Sequence, residues 1–177
     1  AANEAPRVKA VAHDAPLLQV RNLKTFFNIG GGSKLLGGAK GVVRAVDDVS
    51  FDIYPGETLG LVGESGCGKT TTGRTLIRLE NATSGQVLFN RDDVTQAVGG
   101  QLQKYRRQAQ IIFQDPYSSL NPRMTVGDII AEPLLVYKLQ PNRAAAKARA
   151  AELLTQVGLF PYMADRYPHE LSGGQRQ

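Results

Sequence analysis

The chain is poor in residues that cross-link a backbone or bind metals, with one cysteine and two histidines among 177 residues. A single thiol, Cys67, cannot form a disulfide within the chain, which fits a reducing compartment. His13 and His169 are too few and too isolated for a metal site. No apolar run approaches the roughly 18 to 20 residues that cross a bilayer, and Ala1 to Leu17 has no apolar core of the signal-peptide kind. Any membrane role would therefore act through partner proteins.

Composition bounds the fold without choosing a ligand. With 42% hydrophobic and 21% charged residues, the chain can bury a core and has the size of one domain or a domain with a small lobe. Its net charge of +5 is compatible with nucleic acid, anionic lipid or phosphate ligands. We interpret the basic cluster Lys104, Arg106 and Arg107 as a solvated helix face, because no aromatic platform accompanies it.

Periodicity predicts an alternation of strands and helices after a loose tail at residues 1–16. A glycine-rich, poorly ordered loop is expected from about Asn28 to Gly41. The predicted strands are Leu17–Arg21, an antiparallel edge element at Val42–Ile53, the buried runs Thr58–Val62 and Ala109–Phe113, and Gln86–Asn90. The predicted helices are Lys69–Leu79, Thr95–Gln108, one that Thr125 caps and Pro133 ends or kinks, and an Ala-rich helix with Pro141 in its first turn and Gly158 at its end.

A glycine-rich stretch between an apolar run and a helix matches the phosphate-binding pattern GxxxxGK[ST]. It consists of Gly63, Glu64, Ser65, Gly66, Cys67, Gly68, Lys69 and Thr70. Its glycines permit positive φ angles that turn backbone N–H groups inward, at the positive end of the following helix. Lys69 would reach the β- and γ-phosphates, the Thr70 hydroxyl would bind Mg²⁺, and Thr71 would contact the α-phosphate. The pattern predicts binding of a nucleoside triphosphate.

A second motif near the end of the sequence has the composition of an anion site. It consists of Leu171, Ser172, Gly173, Gly174 and Gln175. A serine and two glycines that open a helix offer the Ser172 hydroxyl and the Gly174 N–H to phosphate oxygens. Together with the glycine loop, the motif resembles the signature of the ATP-binding cassette (ABC) family at all five positions. In that family each ATP lies between the phosphate loop of one subunit and the signature of another, so the resemblance implies a dimer.

Three further segments are similar to the oligopeptide and dipeptide importer branch of that family, and most similar to its F-type ATPase subunit. They are Gln114–Gly127, Arg166–Glu170 and Ala45–Phe51. By this resemblance Gln114 is the Q-loop residue, which would complete Mg²⁺ coordination and sense the γ-phosphate. An aromatic ring stacks on adenine in the family, and Phe27 is the candidate by position, with Phe26 second. Both phenylalanines could equally be core residues.

The resemblance implies an α/β fold of the P-loop NTPase class, an ABC nucleotide-binding domain at residues 17–177. It would comprise an antiparallel β lobe (17–57), a RecA-like core with the phosphate loop (58–114) and a helical lobe that ends in the signature (115–177). The implied cofactors are ATP and Mg²⁺. The implied partners are a second ATPase subunit, identical or different, transmembrane permease subunits and, indirectly, an extracytoplasmic peptide-binding protein, with no nucleic acid. The expected location is peripheral, on the cytoplasmic face of the inner membrane.

The sequence stops at Gln177, and no strand with a metal-holding Asp and an adjoining Glu follows the signature. Phosphoryl transfer to water needs both groups. We therefore expect residues 1–177 by themselves to bind ATP weakly or not at all and not to hydrolyse it, so the fold is expected to be incomplete at its C-terminus, while the full-length parent is an ATPase. Two alternatives stay open: a soluble ABC-type ATPase acting on DNA or ribosomes, and a nucleotide-binding fragment without catalysis. The transported solute cannot be named from the sequence.

Overall fold

The computed structural model describes residues 15–29, 41–115 and 119–177. The chain divides into two compact units, residues 1–110 and 111–177. Most of the predicted loop between Asn28 and Gly41, and the tail before residue 15, lie outside the described residues. The finer division of the first unit at residue 57 stays a prediction.

A four-stranded antiparallel sheet with the order β2–β1–β3–β4 forms the first unit. Its strands are β1 (Leu18–Ile29), β2 (Gly41–Ile53), β3 (Ser84–Phe89) and β4 (Asp92–Asp93). The predicted edge strand is confirmed, because β2 lies at one edge and turns Val49, Phe51 and Ile53 toward the core. β1 continues well past the predicted end at Arg21, since β2 pairs with it as far as Ile29.

The core of the first unit lies between this sheet and two helices, α1 (Lys69–Leu76) and α2 (Gly99–Gln108). Its fully buried apolar side chains are Val20, Leu23 and Val87, and each contributes about 1.5–3 kcal/mol through burial. α1 turns Thr72 and Thr75 inward.

Two side chains of α2 hold the end of α1. The Tyr105 hydroxyl donates to the Leu76 carbonyl at 2.6 Å, and the Arg106 guanidinium donates to the Arg78 carbonyl at 2.7 Å. Carbonyls at the end of a helix lack partners within the helix, so these bonds satisfy them. The expectation that Arg106 belongs to a solvated helix face was therefore wrong, while Lys104 is exposed and pairs with Asp92 at 3.6 Å.

Two predicted buried strands are absent from the described structure. Thr58–Val62 and Ala109–Phe113 form no ladder with any described residue, and Val62 and Ile112 are 90% and 84% exposed. Their apolar composition suits a strand of a parallel sheet, but a strand exists only where a neighbour supplies hydrogen bonds. The described sheet is antiparallel throughout and does not reach these segments.

The second unit is helical. It contains α3 (Val126–Val136), α4 (Arg143–Gln156), 3₁₀ turns at Pro161–Asp165 and Pro168–Glu170, and the short α5 (Gly173–Arg176). Its buried cluster comprises Val126, Leu154 and Leu171, against which Ile130, Leu159, Met163 and Ala164 pack. None of the helices among the described residues is long and apolar enough to span a membrane.

The predicted helix ends of this unit are mostly confirmed. The Thr125 hydroxyl caps α3 by accepting from the Asp128 amide, and Gly158, with φ of +79°, follows the end of α4. Pro133 does not end α3, which continues to Val136. Pro141 lies before the cap rather than in the first turn, because the Asn142 side chain accepts from the Ala145 amide and so starts the helix there.

Candidate functional site

The glycine loop turns tightly onto the sheet of the first unit. Gly63, Gly66 and Gly68 have φ angles of +156°, +83° and +93°, values that side chains oppose. A Cβ atom on Gly68 would lie 2.0 Å from the carbonyl oxygen of Ala45 in β2. Glycine is therefore required at position 68 both for its backbone angle and for its contact with the sheet.

The loop closes around the ammonium group of Lys69. Its Nζ donates to the carbonyl oxygens of Gly63 at 2.8 Å and Glu64 at 2.6 Å, and lies 3.5 Å from the Cys67 sulfur. These bonds hold a positive charge over the loop, next to the first turn of α1. No side chain caps the amide groups of that turn, and uncapped amides at a helix N-terminus favour an anion. Charge and geometry together fit a polyphosphate.

A chain of buried hydroxyl groups connects α1 to β1. The Thr75 hydroxyl donates to the Thr71 carbonyl at 2.8 Å and lies 3.1 Å from the Thr25 hydroxyl. Thr25 and Thr75 are each 1% exposed. Sequence reasoning missed this link, because no local pattern relates two threonines that are distant in the sequence.

The two candidate aromatic residues are neighbours in β1, just after a shift in the strand register between Thr25 and Phe26. Phe27 follows Thr25, whose hydroxyl meets α1, by two residues, and its ring is exposed. Phe26 has its ring 5.5 Å from the guanidinium carbon of Arg44, and is partly covered by that contact. Phe27 is therefore the more exposed of the two rings.

The two candidate Mg²⁺ ligands belong to different units. Thr70 is exposed in the first turn of α1, and Gln114 is exposed in the second unit, directly after the apolar residues Ile111 to Phe113. Each of these two side chains is therefore placed only within its own unit. Among residues 15–29, 41–115 and 119–177, no group of three or more His, Cys, Asp or Glu side chains could hold a metal ion.

The signature motif forms the start of α5. Leu171 is buried in the core of the second unit. The Ser172 hydroxyl accepts from the Gln175 amide at 3.3 Å, and the Gln175 side chain accepts from the Ser172 amide at 2.9 Å. This reciprocal cap fixes the turn. It leaves the hydroxyl hydrogen of Ser172 available to a ligand, and Gly174 has open space around its Cα.

Comparison with protein families identifies most of the chain. Residues 46–177 match the family described as ABC transporter. Among curated proteins, the glutathione import ATP-binding protein GsiA of Escherichia coli (strain K12) is 53% identical over 178 residues, which cover 99% of this chain and 28% of GsiA. The oligopeptide transport ATP-binding protein OppF of Bacillus subtilis (strain 168) is 55% identical over 162 residues, or 91% of this chain and 50% of OppF. The chain spans half or less of these relatives.

Solved structures show the same fold. The dimeric post-hydrolysis state of the ATP-binding cassette MJ0796, bound to ADP and Pi, matches with a TM-score of 0.69 and 26% identity over 90% of this chain and 65% of that one. cbiO1 from Clostridium perfringens, part of the ABC transporter complex cbiONQ, matches with a TM-score of 0.63 at 22% identity over 91% of this chain and 57% of that one.

Proposed function

This chain belongs to the ABC transporter family, and we propose that it forms part of an ATP-binding subunit that powers import of oligopeptides or dipeptides across the cytoplasmic membrane. Membership confirms the resemblance and the fold class predicted from the glycine loop and the signature. The names of two relatives, a glutathione import protein and an oligopeptide transport protein, support import of small peptides.

The observation that carries the proposal is the closed glycine loop. Lys69 is fixed by two loop carbonyls beside the uncapped start of α1. Lys69 would bind the β- and γ-phosphates, and Thr71 would bind the α-phosphate. Backbone amides of the loop would receive the remaining phosphate oxygens, which is the arrangement of other phosphate loops. The residues that complete the loop are Gly63, Glu64, Ser65, Gly66, Cys67 and Gly68.

Thr70 and Gln114 would hold Mg²⁺ through oxygen atoms, the ligand type that this ion prefers. When bound, the ion would neutralise charge on the β- and γ-phosphates. The exposed ring of Phe27 would stack on adenine. Each of these roles concerns a side chain on the surface of its own unit.

The signature residues Ser172, Gly173, Gly174 and Gln175 would bind the nucleotide held by a second ATPase subunit. ATP would therefore close two such subunits against each other, and hydrolysis would let them part. We propose that the helical unit and Gln114 pass this motion to permease subunits at the cytoplasmic face of the membrane. An extracytoplasmic peptide-binding protein would deliver the solute to the permease.

Replacement of Lys69 by alanine tests nucleotide binding in the complete subunit, of which this chain forms part. One bond to a charged phosphate is worth about 1.5–3 kcal/mol, so affinity for a fluorescent ATP analogue should fall about ten- to a hundredfold. Lys104→Ala is the matched control, because Lys104 is an exposed lysine of the same unit with a 3.6 Å surface ion pair. Thermal denaturation of both variants shows whether the fold is kept. Equal affinity of Lys69→Ala and the parent protein would contradict the proposal.

The import proposal needs a separate measurement in vesicles that contain the complete transporter. Uptake of a labelled dipeptide or tripeptide should depend on ATP that is supplied on the same side of the vesicle membrane as the ATPase. Uptake should be lost in Lys69→Ala. Uptake of neither peptide, with nucleotide binding intact, would refute the substrate class and leave the ATP site standing.

A further inference from the structure

We propose that Thr25 is a positioning residue that sets the distance between the adenine-binding ring and the phosphate loop. It would act through the hydroxyl chain, by which we mean the two hydrogen bonds that join the Thr25 hydroxyl to the Thr75 hydroxyl and the Thr75 hydroxyl to the main-chain carbonyl of Thr71. The inference rests on the proposed function, because it concerns how the same nucleotide is held. It adds a residue that touches no part of the nucleotide and acts through α1.

The direction of each hydrogen bond in this chain is fixed by the number of hydrogens. A threonine hydroxyl has one hydrogen, and that of Thr75 is donated to the Thr71 carbonyl at 2.8 Å. The 3.1 Å contact between the two hydroxyls therefore has Thr25 as donor and Thr75 as acceptor. Both side chains are 1% exposed, so solvent does not replace a lost partner. A buried group without its partner is costly, which makes the contact specific for one placement of α1.

Both ends of the hydroxyl chain lie next to a predicted nucleotide contact. Thr71 belongs to the first turn of α1 and directly follows Lys69 and Thr70. At the other end, Phe27 follows Thr25 by two residues in β1. The hydroxyl chain is therefore a direct connection between the strand that carries the ring and the helix that starts at the phosphate loop.

A second contact fixes the same helix to the adjacent strand. Thr25 pairs with Val46 of β2, and the carbonyl of the preceding residue, Ala45, is the atom against which Gly68 lies. The backbone contact prevents α1 from approaching the sheet, and the hydroxyl contact opposes sliding along it. Loss of the hydroxyl contact should allow α1 to shift relative to Phe27 without opening the loop itself.

The two kinds of ligand respond differently to such a shift. ATP would contact both the ring and the loop, so its binding depends on the distance between them. Inorganic tripolyphosphate would contact only the loop, so its binding does not. If Thr25 had a purely structural role, its replacement would weaken the binding of both ligands to the same extent.

The experiment compares these two ligands by titration calorimetry, with Mg²⁺, for the complete subunit (the parent protein) and for its variants Thr25→Val and Thr25→Ser. Loss of one hydrogen bond is worth about 1 kcal/mol, so Thr25→Val should bind ATP about fivefold more weakly and keep its tripolyphosphate affinity within about twofold. Thr25→Ser keeps the donor and should bind both ligands as the parent does.

Thr95→Val is the matched control. The Thr95 hydroxyl is also buried in the first unit, where it accepts from the Val87 amide at 2.7 Å. Loss of this hydroxyl should lower the melting temperature as Thr25→Val does. It should not make the affinity for ATP change more than the affinity for tripolyphosphate. If Thr25→Val does not fold, Thr25→Cys keeps a weaker donor, and ATP affinity should fall about twofold while tripolyphosphate affinity is unchanged.

Equal loss of both affinities in Thr25→Val, or no loss of either, would overturn the inference while the nucleotide site stands. Failure of the complete, unmutated subunit to bind ATP and tripolyphosphate would instead refute the proposed function. Ligand binding by the unmutated protein therefore distinguishes failure of this inference from failure of the proposed function.

Discussion

Replacement of Gly68 by alanine should disrupt the phosphate loop and destabilise the first unit. The new Cβ would stand 2.0 Å from the Ala45 carbonyl oxygen, which is a backbone atom and cannot rotate away as a side chain can. The loop or β2 must therefore move, and such overpacking costs about 1–3 kcal/mol. The φ angle of +93° adds strain of about 1–2 kcal/mol for a residue with a side chain. Together these terms predict a loss of about 2–5 kcal/mol.

Gly73→Ala provides the opposite expectation within the same helix. Gly73 lies in the interior of α1, and nothing lies within 4 Å of the Cβ that it would gain. Alanine should therefore stabilise the protein by about 0.5–1 kcal/mol, because glycine has the greater chain entropy to lose. Urea denaturation gives both free energies of unfolding, and nucleotide titration gives both affinities. If Gly68→Ala were as stable as Gly73→Ala, the contact between the loop and Ala45 would be refuted.

Two titrations test the surroundings of ionisable groups. Burial raises the pKa of Tyr105 to about 12 from its ordinary 10.0. In an ultraviolet absorbance titration one tyrosine should therefore ionise last, and Tyr105→Phe should lack that step. The stability of the fold should fall as the pH rises between these two values, because the unfolded chain loses the proton first. Hydrogen bonds from Arg143 and Lys147 lower the pKa of Asp128 from 3.8. The contribution of Asp128 to the stability of the fold is therefore complete above that value, and it is lost as the pH falls through the lower pKa of the folded state. Asp128→Asn should cost about 1 kcal/mol at neutral pH and nothing in strong acid, and equal costs at both would refute this account.

The parts of the fold that were predicted correctly depend on local chemistry. Thr125 caps α3, Gly158 follows α4, and α1 starts at Lys69, as the motifs indicated. A cap or a turn is decided by a few neighbouring residues, whose hydroxyl groups or φ angles can be inferred from the sequence. The same is true of the glycine loop, whose residues are contiguous.

The parts that were predicted incorrectly depend on partners distant in the sequence. Thr58–Val62 has the composition of a buried strand, yet no described strand pairs with it. β1 is longer than its apolar pattern suggested because β2 and β3 pair with it on both sides. Apolar composition indicates what a segment can bury, whereas pairing depends on which strands are adjacent in space. The hydroxyl contact between Thr25 and Thr75 was unpredictable for the same reason.

These contacts also indicate which part of the molecule determines where the phosphate loop lies. The residue before the loop, Val62, is 90% exposed and belongs to no ladder among the described residues. The residues after its first glycine are held to the antiparallel sheet, through Gly68 against Ala45 and through Thr75 against Thr25. The loop is thus positioned from its helix side by β1 and β2. Since β1 also carries Phe27, one pair of strands sets the positions of both ends of the proposed nucleotide site.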